Sequence, residues 1–152
     1  MSCVIRPAHS GDVRATAEIV HQFQEETAWM PKLYSLEEVV GFCRAMIDRG
    51  WVIVAQSQGR VVGFLARDQE EVCSLYLLSN ERGNGFGRAL LASAKASSPR
   101  LLLRTFVANE AAQRFYHRQG FIEIGRGDGS TNEEELPDIY LQWGDDPQGD
   151  QA

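Results

Sequence analysis

Residues 81–94 read ERGNGFGRALLASA, with three glycines (Gly83, Gly85, Gly87) alternating with larger residues and Arg82 and Arg88 on either side. Glycines at that spacing let successive backbone N–H groups converge on one point without obstruction from a Cβ. The positive end of a helix beginning near Asn84, with Phe86 as its first large apolar residue, adds favourable charge. The two arginines neutralise what remains of an anion. The chemistry is the binding of phosphate groups. The competing reading is a tight strand-to-helix turn whose arginines are simply exposed.

Two familiar phosphate sites do not fit. A P-loop requires GxxxxGK[ST], and no lysine followed by Ser or Thr stands here. A dinucleotide fingerprint requires a third glycine where Arg88 stands, and an acidic residue at the end of the next strand, which reads TFVAN.

The elements that must position this turn follow from periodicity. Residues 3–6 read as a strand closed by Pro7. Residues 12–27 carry apolar positions every three or four residues, as in an amphipathic helix. Ser35 and Glu38 form a capping box for a second helix, which Gly50 stops. WVIVAQ and RVVGFLAR flank SQG as a hairpin, and residues 72–78 form a third strand leading into the glycine turn. After that helix, LLLRTF is a continuous apolar strand suited to a central position. Asn109 caps a further helix that places Ala112, Phe115 and Tyr116 on one side and ends at Gly120. FIEIGR and DIYLQW are two closing strands. The expectation is an α+β domain over residues 1–144 with a mixed sheet, followed by a disordered tail at 145–152.

Composition bounds the function. At 152 residues and 43% hydrophobic content the chain has the size of one domain with a core, and its net charge of −6 argues against nucleic-acid binding. Three dispersed cysteines and no Cys/His cluster give no metal site and no disulfide scaffold. The first residues, MSCVIRPAHSGD, hold no long apolar run, so neither a signal peptide nor a membrane span is expected, and the location expected is cytoplasmic.

Arg82-x-x-Gly85-x-Gly87, followed by Arg88 and an apolar helix, resembles the acyl-CoA pyrophosphate motif of the GNAT acetyltransferase superfamily. NEAAQRFYHRQGF, residues 109–121, is similar to that family's second signature, N-x-x-A-x-x-F-Y-x-x-x-G-F. The two motifs stand in order with one strand between them. The ending, with Asn-Glu-Glu ahead of Pro-Asp and an aromatic strand, resembles a bacterial subgroup of the family.

The resemblance implies a three-layer fold with a mixed, splayed sheet flanked by helices on both faces. It implies acetyl-CoA as acyl donor, no metal, and direct attack by a primary amine within a ternary complex. The pyrophosphate would lie on residues 82–88, and the pantetheine and thioester on the main chain of Leu77 and Leu78, with Asn109 as a further hydrogen-bond partner of the pantetheine arm. Where many relatives carry proline after this strand, this chain has Ser79.

Tyr116 is the implied general acid, because a phenol with a pKa of about 10 is protonated at neutral pH; a core aromatic is the competing reading. Glu71 falls where one branch of the family places its basic glutamate, although RDQEEV also reads as a solvated turn, and ordered water is the alternative base. Trp29 and Tyr34 in the first interhelical loop, with Glu25 or Glu26 nearby, and Asn132, Glu133 and Asp138 in the last loop, would face the acceptor. The acceptor expected first is a small amine or amino-acid derivative. A protein N-terminus or lysine comes second, and a non-catalytic acyl-CoA-binding regulatory module is the reading from another class. A homodimer is common in the family, and the C-terminal strand would either pair across subunits or close the sheet.

Overall fold

The computed structural model describes residues 3–144. The elements run β1 (Val4–Pro7), α1 (Val13–Glu26), α2 (Leu36–Asp48), β2 (Val52–Ser57), β3 (Arg60–Asp68), β4 (Glu71–Leu77), α3 (Phe86–Ala96), β5 (Arg100–Phe106), α4 (Glu110–Arg118), β6 (Ile122–Gly127) and β7 (Asp138–Gly144). The sheet has seven strands in the order β1-β2-β3-β4-β5-β7-β6. It is mixed, with β4 parallel to β5 and antiparallel pairing at β1/β2, β2/β3, β5/β7 and β6/β7. This is the expected α+β class. The tail expected at 145–152 lies outside the described residues.

The residues group into two compact units, one holding residues up to 68 with Cys73–Ser93, the other Gln69–Val72 with the chain from Ala94 onward. In the first unit, α1 and α2 bury Val13, Ala17, Ile19, Val39, Cys43 and Ile47 together with Val52, Val54, Phe64 and Ala66 of the hairpin. The capping box at α2 forms as read: the Ser35 side chain accepts from the Glu38 N–H, and the Glu38 carboxylate accepts from the Ser35 N–H. A second box, which periodicity does not reveal, precedes α1: His9 Nδ1 accepts from the Gly11 N–H, and the Asp12 carboxylate accepts from the His9 N–H. Between β2 and β3, Gln58 and Gly59 both have positive φ (54° and 76°), the signature of a tight primed turn.

In the second unit β5 pairs with β7 along its length, from Arg100↔Gly144 to Phe106↔Asp138. The other side of β7 carries β6. The C-terminal strand is therefore interior, and of its two expected roles the structure shows the closing of the sheet. Leu101, Leu103, Phe121, Ile139 and Leu141 are buried here. Asn109 caps α4 by accepting from the Ala112 N–H at 3.1 Å. Lys95 donates to the Gln119 carbonyl at 2.6 Å and lies 5.0 Å from the Trp143 ring centroid, so a cation closes the negative end of that helix. Among the described residues no helix is long and apolar enough to cross a membrane.

Candidate functional site

The glycine turn is built in the first unit. Gly83 and Gly85 have φ of 86° and 84°, a region costly for other residues, and no neighbouring atom stands within 4 Å of where a Cβ would project. The strain argues for glycine, and the open space argues for something approaching. Phe86 opens α3 and is 1% exposed, so its side chain anchors the helix start and only its main chain is available to a ligand. Gly87 is buried within the first turn of α3; it does not share the left-handed conformation of the other two. Arg82, Asn84 and Arg88 are exposed around the turn, with the Asn84 amide donating to Glu81 at 3.3 Å.

Ahead of the turn, the end of β4 is fixed from two sides within the same unit. The Leu78 N–H donates to the Val62 carbonyl at 2.9 Å, so of the two main-chain donors expected there, this one is spent in the sheet. Strand alternation directs the Leu77 N–H the other way. On the other side, the Ser79 N–H donates to Gln22 Oε1 at 3.0 Å and its hydroxyl donates to Glu26 Oε2 at 3.3 Å. The last two turns of α1 therefore clasp Ser79, the second residue after the strand.

Aromatic rings continue from this clasp. Phe23 meets Tyr76 of β4 edge-on at 5.3 Å and Trp29 at 6.2 Å, and Tyr76 lies 5.9 Å from Phe64. Trp29 is half-buried in this row. Tyr34 is also half-buried, and its ring meets Phe42 on α2 edge-on at 4.8 Å. Glu71 stands at the opposite end of β4, exposed, in register with Leu102 of β5. Its neighbour Glu70 accepts from Arg100 Nε at 2.9 Å.

In the second unit Tyr116 is 9% exposed, its ring edge-on to Phe115 at 5.3 Å and to Phe121 at 5.5 Å. Asn132 closes its own loop: its amide donates to the Leu136 carbonyl at 2.8 Å, and its Oδ1 accepts from the Leu136 N–H at 3.2 Å. Asp138 is 2% exposed, with Oδ2 3.4 Å from the Asn132 amide and Oδ1 without a hydrogen-bond partner. Glu133 is exposed on that loop.

Of the three free cysteines, Cys43 is the buried one. Burial pushes the Cys43 thiol up, which suits a core residue and not a nucleophile. Among the described residues no group of three or more His, Cys, Asp or Glu is placed to hold a metal ion. Sequence reasoning missed Gln22, Phe23, Gly63 and Tyr76. For Gln22 and Phe23 the signal was a polar residue and an aromatic side by side near the end of an amphipathic helix; Gly63 and Tyr76 lie inside strand patterns that carry no such signal.

Comparison with known proteins adds a family. A model described as "Acetyltransferase (GNAT) domain" matches residues 48–123, half of the 152-residue chain. Peptidyl-lysine N-acetyltransferase YjaB of Escherichia coli (strain K12) is 32% identical over 78 residues, which span 51% of this chain and 52% of that protein. The match thus covers about half the length of that relative. Among solved structures, the apo form of YjaB from Escherichia coli superposes with a TM-score of 0.78 at 23% identity, covering 95% of this chain and all of that one (100%). Ribosomal-protein-alanine N-acetyltransferase from Brucella melitensis gives 0.71 at 28% identity, with 91% and 98% covered. The yncA protein of Salmonella typhimurium, solved with acetyl-CoA, gives 0.73 at 21% identity, with 96% and 95% covered.

Proposed function

Since the chain belongs to the GNAT acetyltransferase family, with half of its length matched by the family model, we propose that it transfers an acetyl group from acetyl-CoA to a primary amine by direct attack. The observation that carries this reading is the turn at Gly83 and Gly85. Its left-handed glycines, open surroundings and flanking arginines, on the N-terminus of an 11-residue helix, suit a pyrophosphate.

When bound, acetyl-CoA supplies the acetyl group as an activated thioester. Arg82 and Arg88 balance phosphate charge, and the main chain of residues 83–87 donates to phosphate oxygens. The Leu77 N–H is the donor assigned to the carbonyl oxygen as it becomes negative. Tyr116, whose ring is edge-on to Phe115 and Phe121, is the residue assigned to hold a proton for the departing sulfur. Asn109 keeps its capping role while its remaining amide N–H groups are offered to the pantetheine arm.

The acceptor proposed first is a small amine or amino-acid derivative, on the acidic balance of the chain. A peptidyl lysine is the second reading, and it is favoured by the activity that YjaB's name states. The test is thiol release from acetyl-CoA against small amines, amino acids, polyamines and short peptides, beside Tyr116→Phe. Amine-dependent release that falls about 100-fold in the variant, with the acetyl-CoA thermal shift retained, is expected. A thermal shift without amine-dependent release would favour a binding module.

A further inference from the structure

We propose that Glu26, held by Ser79, is the group that receives the acceptor's ammonium and takes its proton; this rests on the acyl-transfer reading above. Three observations place the role there.

The first is position. Glu26 Oε2 accepts from the hydroxyl of Ser79, two residues past Leu77. Two residues span at most about 7 Å of chain. Glu71 lies six residues on the other side of Leu77, about 20 Å along an extended strand, well beyond the reach of one side chain. Of these two carboxylates, Glu26 is the one held beside the end of β4 where the Leu77 N–H is assigned to the thioester.

The second is charge. Glu26 is the last residue of α1, where the helix dipole is negative, and the last turn of α1 holds no basic residue. A carboxylate there is electrostatically unfavourable until a cation joins it. Its neighbour Glu25 already has a cation, Lys32 at 3.7 Å. An arriving ammonium relieves Glu26 in the same way.

The third is the lining. Gln22 and Glu26, one turn apart, both bond Ser79, so this face of α1 is turned to the end of β4. Phe23 lies between them in sequence and joins Trp29 and Tyr76 in an edge-on aromatic row. An aromatic row that starts from the same helix turn as the Glu26 carboxylate suits a primary ammonium on an aliphatic stem, the chemistry of a lysine side chain or an alkylamine.

The step balances simply. One N–H bond of the ammonium breaks, an O–H bond forms on Glu26, the nitrogen keeps the electron pair, and the proton passes on to water. Gln22 and Ser79 are positioning residues, holding the backbone and the carboxylate.

The experiment compares the unaltered protein, Glu26→Gln and Ser79→Ala, using whichever of Nα-acetyl-lysine amide, alanine amide and spermidine gives the fastest thiol release. At pH 7 Glu26→Gln is expected to lose about 100-fold in kcat/KM. The deficit should shrink as pH rises toward about 10, where the amine sheds its own proton. Calorimetric binding of the same amine in the presence of CoA, which involves no turnover, should weaken in Glu26→Gln. The acetyl-CoA thermal shift should stay. Ser79→Ala should show a smaller deficit with the same pH shape. A deficit constant across pH, or none, with amine binding unchanged, overturns the assignment and leaves acyl transfer standing. Absence of release from the unaltered protein with all three amines overturns the acyl-transfer reading and this inference together.

Discussion

A β-carbon on Gly63 would run into the side chain of Leu77 and stand 2.9 Å from the Tyr76 carbonyl oxygen. Strand β3 thus approaches the end of β4 at a distance only glycine allows. Gly63→Ala must displace the Leu77 side chain and the Tyr76 carbonyl, so a loss of about 1–3 kcal/mol in urea melts is expected. The acetyl-CoA thermal shift should shrink as well. An unchanged shift would show that the strand end yields without consequence for the ligand.

The glycine turn makes a different demand, because Gly85 has space but a left-handed φ of 84°. Gly85→Ala is expected to cost about 1–2 kcal/mol of conformational strain, and Gly85→Asn less, since asparagine visits that region more readily. Acetyl-CoA affinity should follow the same order. Arg82→Ala should raise the dissociation constant about tenfold at low salt and by less at high salt, where screening has already removed part of the attraction. Titration calorimetry at two ionic strengths reads both effects.

The start of α1 depends on an ion pair that pH can address. Arg6 donates to both oxygens of Asp12, at 2.8 and 3.0 Å, and the carboxylate is 4% exposed. The hydrogen bond from Arg6 holds the Asp12 carboxyl below its ordinary value, against the opposing effect of burial. A lowered folded pKa means that the stabilisation is complete above the unfolded value of about 4 and is lost as pH falls through the folded value. Arg6→Met should therefore cost on the order of 2 kcal/mol at pH 7, with the difference between the two proteins narrowing below about pH 4. Urea melts at pH 7 and pH 3 make the comparison.

Asn132 separates loop closure from acceptor contact. Its amide and carbonyl oxygen both bond Leu136, and it stands beside the buried Asp138. Asn132→Ala is expected to lower stability by about 1–3 kcal/mol, as buried partners are left unmade. A variant that melts like the parent but loses turnover with the amine alone would give Asn132 to the acceptor instead.

What the sequence made legible is local. Ser35 and Asn109 announced their helices because a cap and its N–H partner lie three residues apart. Gly83 and Gly85 were legible because a left-handed turn selects glycine directly. The clasp of Gln22 and Glu26 on Ser79 joins residues 57 and 53 positions apart, and no spacing rule spans that distance. Gly63 sits inside a strand pattern, and its need for a missing side chain arises only from the neighbouring strand. The interior place of β7 was equally hidden, since DIYLQW has the same alternation in either role.

The outer strand β6 slips register between Glu123 and Gly125 against β7, just where Ile122 and Ile124 are 62% and 53% exposed. An unbroken apolar rim of that kind is a template on which chains can polymerise. The slip leaves it with hydrogen-bonding groups out of step for a straight incoming strand. Irregularity at this margin acts as a safeguard against fibre growth, and deleting Ile124 to restore an even ladder would remove that safeguard while making the sheet more regular.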